Sequence, residues 1–197
     1  MKSELMRKMD ALVPDGLSII LLEGTRKVPS ADAPALRAFA AELARRYPHA
    51  LFRTGNASGS DELFAEGIAS VDPSRLQYVL PYAGHRKSKL NPVSYAIALS
   101  DLSGVHEEDV AWHTKQATPK NERVIDKRNE VPQLKSKARY LMRDTLKVLG
   151  STEHELAPAT LGIFYVNPAD PEGGGTGHTI RVCRQHHVPV FTQNDWI

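Results

Sequence analysis

The chain has 197 residues, of which 41% are hydrophobic and 24% are charged, with a formal net charge of +2 at pH 7. These values predict one globular domain, residues 1–197, and exclude a disordered chain or nucleic-acid binding by bulk charge alone. The single cysteine, Cys183, excludes an internal disulfide and predicts a reducing, cytoplasmic location, and the apolar runs are too short for a membrane span or a secretion signal.

Strands and helices alternate at the start of the chain. Residues 18–22 form an almost uniformly apolar run, which is typical of a parallel strand covered on both faces. Apolar residues then recur at helical spacing over 34–43 and again after residue 59. Short apolar runs at 50–53 and 76–80 predict the second and third strands. Right-handed crossovers turn such an alternation into a parallel sheet.

Residues 82–133 interrupt this alternation, because they are polar and rich in charges of both signs. We predict an insertion here, after the third strand, with short helices near 92–100 and 106–116. A longer helix follows, and the last two strands are predicted at 161–166 and 188–191. The sequence therefore predicts an α/β fold of Rossmann-like, doubly wound type, with a mainly parallel five-stranded sheet.

Three predicted strand ends carry glycine and lead towards a helix. We name them the first loop (24–26), the second loop (55–59) and the third loop (173–177). In a parallel sheet they gather at one edge, where helix N-termini present unpaired N–H groups and a positive dipole end. Glycine also lets the backbone approach a phosphate closely. One such loop alone is usually a tight turn, whereas three at one edge predict a ligand site.

These loops resemble motifs of the SLOG superfamily, which includes the YpsA-like proteins, DNA-processing protein A and the Lonely guy phosphoribohydrolases. Residues 54–63, TGNASGSDEL, are similar to its T-G-x-A-x-G-x-D-x-L pattern, and residues 171–176, PEGGGT, are similar to its phosphate loop. The first loop resembles its first-strand element, and Arg128-Asn129 resembles its Arg-Asn pair. The resemblance covers about residues 17–191 outside the insertion. It implies a Rossmann-like sheet that binds a nucleotide or nucleotide-derived ligand across the strand ends.

The candidate ligand-binding residues are those of the three loops together with nearby polar side chains. Arg26 and Arg128 are candidates for bidentate phosphate contacts, and His178 is a candidate because it follows the third loop. Ordinary surface roles stay open for these three. The basic residues at 85–89 are candidates for a polyphosphate or nucleic-acid contact, with a solvated loop as the favoured alternative. The candidate set is Gly24, Thr25, Arg26, Gly55, Asn56, Ala57, Gly59, Asp61, Arg128, Asn129, Gly173, Gly174, Gly175, Thr176 and His178.

One departure from the Lonely guy motif bears on catalysis. In those enzymes the phosphate loop continues to a glutamate that takes part in cleaving the N-glycosidic bond, and the same count here reaches Thr179. Asp61 and Glu62 are the remaining candidate acids, although acids in a first helical turn also simply complement the helix dipole. Catalytic residues are therefore left undetermined. The histidines show no ligand spacing for zinc, so we predict no metal site, and no cofactor is predicted.

The leading prediction is a domain that senses or sequesters a nucleotide or nucleotide-derived small molecule. The first alternative is an N-glycoside hydrolase or transferase acting on nucleoside phosphates, which leaves open whether the chain is an enzyme. Single-stranded DNA binding is the second alternative, less favoured because only residues 85–89 form a basic patch. The predicted partner is thus a small molecule, with a homo-oligomer left open and no membrane partner.

Overall fold

A computed structural model describes residues 2–14 and 16–197 of the chain. Within these residues a six-stranded sheet has the order β4-β3-β2-β1-β5-β6, and every neighbouring pair is parallel. The strands are β1 (Ser18–Gly24), β2 (Ala50–Thr54), β3 (Leu76–Leu80), β4 (Tyr95–Ala98), β5 (Leu161–Tyr165) and β6 (Val190–Thr192). The helices are α1 (Lys2–Leu12), α2 (Ala33–Arg46), α3 (Ser60–Ala69), α4 (Gly104–Ala117), α5 (Glu122–Asp126), α6 (Pro132–Leu149) and α7 (Gly174–Gln185).

Helices cover both faces of the sheet, which explains why its central strands are mainly apolar. Successive strand residues point to opposite faces. Ile20 and Leu22 of β1 pack in a cluster with α1, α2 and α3. Leu21 between them packs in a second cluster with α6 and α7, and Val79 of β3 packs in a third with α4, α5 and α6. The predicted Rossmann-like parallel sheet is therefore confirmed.

The sixth strand lies in the segment predicted as an insertion. Residues 95–98 form β4, which pairs in parallel with β3 at the sheet edge, so the helix predicted near 92–100 is wrong. Only the last two residues of this short strand are buried, and it therefore lacks the uniform apolar run of a central strand. The helix predicted near 106–116 is confirmed as α4.

The strand order reverses between β1 and β5. Successive strands run outward from β1 to β4, and the chain then crosses back to place β5 on the other side of β1. In open α/β sheets, ligands bind in the crevice outside the carboxyl ends of the strands at such a switch point.

None of the helices in the described part of the chain is long and apolar enough to cross a lipid bilayer.

Candidate functional site

A cleft of about 600 Å³ opens at this switch point. Its walls are formed by the first and third loops, by Ala57 of the second loop with Asp61 of α3, and by one face of α6. Its lining residues are Glu23, Gly24, Thr25, Arg26, Ala57, Asp61, Lys120, Asn121, Lys137, Tyr140, Leu141, Arg143, Asp144, Lys147, Asn167, Asp170, Gly173, Gly174, Gly175, Thr176 and Arg181. The fold therefore brings the three loops together, with nine of the sequence-predicted residues among those that line one cleft.

The second loop is closed by hydrogen bonds within the protein. Asp61 Oδ2 accepts from the backbone N–H groups of Gly55, at 3.0 Å, and Ala57, at 3.3 Å. The Gly55 carbonyl accepts from Arg143 Nη1 at 2.5 Å. Asn56 has a left-handed backbone, with φ of 53°, and its side chain donates to the His85 carbonyl at 3.1 Å. These bonds fix the loop at Gly55 and Ala57, whereas the N–H groups of Asn56, Ser58 and Gly59 have no acceptor among residues 2–14 and 16–197.

Gly59 is required by a close approach between the first and second loops. Its φ is +83°, and an added Cβ would lie 2.5 Å from the carbonyl oxygen of Arg26. The Ser60 N–H, at the start of α3, donates to the Thr25 carbonyl at 3.1 Å. Gly55, Asn56 and Gly59 therefore lie behind the cleft lining and hold the two loops against each other.

The third loop differs from the second in having no carboxylate that accepts from its N–H groups. It leads into α7, whose N-cap Gly173 makes no side-chain capping bond. The N–H groups of Gly174, Gly175 and Thr176 have no acceptor among residues 2–14 and 16–197. Gly174 and Gly175 are also exposed. Free N–H groups and the positive end of a helix dipole together form a site that binds anions.

The floor of the cleft is a set of buried charges on α6 that the sequence analysis missed. Tyr140, Arg143, Asp144 and Lys147 recur at helical spacing on one face of α6, and this polar stripe was the available signal. Lys147 Nζ lies 2.7 Å from Glu23 Oε1 and 2.8 Å from Asp144 Oδ1. Arg143 Nε lies 2.8 Å from the same Asp144 oxygen.

Burial gives the two carboxyl groups of the floor different pKa values. Burial, with smaller contributions from the nearby Asp144 and Asp61, raises the pKa of Glu23 to about 7 against the attraction of Lys147. Burial alone would also raise the pKa of Asp144, but Arg143 and Lys147 hold it below its ordinary value. Asp144 is thus ionised at neutral pH, while Glu23 exchanges a proton near neutrality.

Glu23 also supplies a carboxylate next to position 179. The Thr179 hydroxyl lies 3.1 Å from Glu23 Oε2 and 3.1 Å from the Gly175 carbonyl oxygen. The third-loop motif lacks an acid at position 179, but the Glu23 carboxyl group near the end of β1 lies beside that position. The available signal was a charged residue that ends an otherwise apolar strand.

Four cations surround the cleft above this floor: Arg26, Lys120, Lys137 and Arg181. None of them forms an ion pair with a carboxylate in the part of the chain that the structure describes. Arg26 lies 5.4 Å from the centre of the Tyr140 ring. Arg181 donates to Thr118 Oγ1 and to the Glu172 carbonyl, both at 3.0 Å. The rim of the cleft is therefore positively charged.

Besides Gly55, Asn56 and Gly59, three more sequence-predicted ligand contacts lie outside the lining. The Arg128 guanidinium pairs with Glu107 and Glu108, and Asn129 is exposed in the turn that follows α5. His178 is fully buried between the hydroxyls of Thr118, at 2.8 Å, and Thr145, at 3.0 Å. Burial lowers the pKa of His178 to about 4, so this ring is neutral and joins helices rather than facing the cleft.

Glu62 pairs with two of the basic residues at 85–89. Glu62 lies 2.7 Å from Arg86 Nη2 and 2.8 Å from Lys89 Nζ. Hydrogen bonds from Lys89 and Arg86 lower the pKa of Glu62. His85 is buried, and its pKa is lowered mainly by this burial and next by the charge of Arg143.

In the described residues, no group of three or more His, Cys, Asp or Glu side chains is arranged to hold a metal ion.

Comparison with known proteins found one similar solved structure. No protein-family model matches the chain, and no curated protein matches it. The chain is similar to a solved structure of DNA processing protein A from Helicobacter pylori, described for its single-stranded DNA binding mode. The alignment covers 93% of this chain and 67% of that chain, with 13% sequence identity and a TM-score of 0.46. The function of the chain is therefore inferred from the cleft itself.

Proposed function

We propose that the cleft binds a nucleotide or nucleotide-derived small molecule through its phosphate, as a sensor or sequestering domain of SLOG type. The observation that carries this proposal is the open third loop. Its three N–H groups without acceptors begin a 12-residue helix and line a cleft with a positively charged rim. A phosphate satisfies such donors and gains from the helix dipole as well.

Other features of the cleft support a nucleoside attached to that phosphate. Tyr140 is half-buried in the lining and presents an aromatic ring to a base. The carboxylates of Glu23 and Asp144 at the floor are acceptors for sugar hydroxyls. The cleft volume of about 600 Å³ lies within the range of sites for small molecules and cofactors.

The test compares AMP with adenosine by isothermal titration calorimetry. In Arg26→Ala, AMP binding should weaken by about 1.5–3 kcal/mol, because a charge-assisted phosphate contact is lost, while adenosine binding changes little. Lys27→Ala is the matched control, since Lys27 is an exposed neighbouring cation outside the lining. Equal losses for AMP and adenosine would remove Arg26 from the phosphate site. Absence of AMP binding to the wild-type protein, together with no binding of GMP, CMP or UMP, would refute the proposal.

A second candidate, an N-glycoside hydrolase or transferase acting on nucleoside phosphates, is favoured by one observation. The Glu23 carboxyl lines the cleft floor with a pKa raised by burial to about 7, which suits a group that transfers protons at neutral pH. Chromatography after incubation with AMP, GMP, CMP or UMP separates the two candidates. The sensor releases no base above background. Base release that Glu23→Gln abolishes while binding persists would establish the enzyme, with Glu62→Gln as the control.

A further inference from the structure

The Lys147 side chain occupies the place that a metal cation would take between two carboxylates. We propose that its ammonium is a resident cation of the cleft floor, so that the cleft takes a nucleoside phosphate as the free anion rather than as its magnesium complex. This inference rests on the proposed function and specifies the form of the ligand that the same cleft accepts.

The geometry around Lys147 Nζ is that of a bridging cation. It lies 2.7 Å from Glu23 Oε1, at the end of β1, and 2.8 Å from Asp144 Oδ1, one turn earlier on α6. The Lys147 side chain is 1% exposed. Its position is fixed from behind, because the Lys147 carbonyl accepts from Arg53 Nη1 at 2.8 Å and Arg53 is itself fully buried.

Three of the four carboxylate oxygens of Glu23 and Asp144 already have partners, and Lys147 contacts two of them, Glu23 Oε1 and Asp144 Oδ1. Glu23 Oε2 lies 3.1 Å from the Thr179 hydroxyl, and Asp144 Oδ1 also lies 2.8 Å from Arg143 Nε. Asp61 Oδ2 accepts the two backbone N–H groups of the second loop. Magnesium requires near-octahedral oxygen ligands at about 2.0–2.1 Å. A divalent ion bridging Glu23 and Asp144 would therefore have to displace the Lys147 ammonium.

The rim supplies the positive charge that magnesium usually brings to a phosphate. Arg26, Lys120, Lys137 and Arg181 line the cleft without carboxylate partners among the described residues. The third loop adds backbone N–H groups and the helix dipole. A magnesium ion on the ligand would reduce its negative charge and weaken its attraction to these cations.

The first experiment measures nucleotide affinity with and without the divalent ion. AMP and ATP are titrated into the wild-type protein by calorimetry, in excess Mg²⁺ and in EDTA. We expect AMP affinity to agree within about twofold and ATP to bind at least about threefold more tightly in EDTA, since the free anion carries more charge. A tenfold or greater loss of affinity in EDTA for either ligand would overturn the inference. If neither nucleotide binds in either condition, GMP, CMP and UMP decide the proposed function as above, and the next experiment alone decides the resident cation.

The second experiment asks whether removal of the ammonium creates a metal site. Mn²⁺ is titrated into wild-type protein, Lys147→Met, Lys147→Ala and the control Lys135→Ala, and free Mn²⁺ is followed by electron paramagnetic resonance. Lys135 lies exposed on the same helix outside the lining. Folding is checked by circular dichroism.

We expect a folded Lys147 variant to bind one Mn²⁺, and wild-type protein and Lys135→Ala to bind it at least about tenfold more weakly, because two buried carboxylates are then left without their ammonium. Wild-type protein that binds Mn²⁺ as tightly as the variant would overturn the inference. A folded Lys147→Met or Lys147→Ala protein that binds no Mn²⁺ would do the same. If neither variant folds, the wild-type Mn²⁺ titration and the EDTA comparison decide it.

Discussion

The second and third loops are both glycine-rich turns that lead from a strand end into a helix, yet they differ in how their polar groups are satisfied. In the second loop, Asp61 accepts the N–H groups of Gly55 and Ala57, and Arg143 donates to the Gly55 carbonyl. In the third loop, the N–H groups of the first helical residues have no acceptor in the described part of the chain. A glycine pattern predicts that a loop is tight, but only its hydrogen bonds distinguish a structural turn from a ligand site.

The physical cause is the position of one carboxylate. Asp61 lies in the first turn of α3 and folds back on its own loop, so the protein provides the anion that this helix N-terminus attracts. No acidic residue lies in the first turn of α7. Asp144 approaches Gly175, but its charge is shared by Arg143 and Lys147. An added anion therefore meets the like charge of Asp61 at the second loop and no acidic side chain of the first helical turn at the third.

The largest effect is expected from an acid placed in the open loop. In Gly175→Asp, a new Cβ would lie 2.8 Å from Asp144 Oδ2, and the added carboxylate would occupy the space of the phosphate. We expect AMP affinity to fall at least about a hundredfold, measured by calorimetry, through steric and like-charge repulsion. Gly104→Asp is the control, because this residue also begins a helix and has nothing within 4 Å of an added Cβ. Undiminished affinity in a folded Gly175→Asp protein would exclude the third loop from the site.

The next largest effect is expected on the stability of the protein when the second loop loses Asp61. Asp61→Ala leaves two buried N–H groups without an acceptor and removes a charge near the buried Arg143. We expect the free energy of unfolding, from urea titration, to fall by roughly 3–5 kcal/mol. Asp170→Ala, at the exposed third-loop side of the cleft, should change it by less than about 0.5 kcal/mol. Similar losses in the two variants would contradict the difference between the loops.

The sequence predicted the fold where burial leaves a simple pattern. The runs at 18–22 and 76–80 are apolar because helices cover both faces of the sheet, and they correspond to β1 and β3. The edge strand β4 escaped prediction because half of its four residues are exposed and it lies in a polar segment. An edge strand is defined by pairing with β3, and pairing leaves little trace in a single sequence.

The candidate site was predicted in its loops and missed in its floor. Loop residues such as Gly24, Arg26 and Gly175 carry local motifs, and they line the cleft. Arg143, Asp144 and Lys147 carry no motif, and their charges suggest a solvated helix face, whereas the fold buries them against Glu23. Burial of charges depends on partners that are distant in sequence. The contact between Glu23 of β1 and Lys147 of α6 could therefore not be derived from a local pattern.

A smaller effect links the cleft floor to pH. The folded protein holds the Glu23 proton up to a pKa of about 7, raised first by burial, whereas the unfolded chain releases it near 4.5. Because the folded state then binds more protons, Glu23 contributes stability below pH 4.5 that is lost as pH rises to about 7. The difference in unfolding free energy between wild-type protein and Glu23→Gln should fall by up to about 3 kcal/mol across this interval. Urea titrations at several pH values measure it, and a difference independent of pH would contradict the raised pKa.

The smallest effect is expected at Glu62. This residue follows Asp61 in the first turn of α3 but has different partners. Glu62 pairs with Arg86 and Lys89 outside the cleft lining, and its side chain is 23% exposed. Glu62→Gln should lower the unfolding free energy by no more than about 1 kcal/mol, because partly exposed ion pairs are screened by water. AMP affinity should stay within about twofold of the wild-type value, since no charge in the cleft changes. A tenfold loss of AMP affinity in calorimetry would instead place the Glu62 carboxylate in the binding site and break the division between a structural second loop and a ligand-binding third loop.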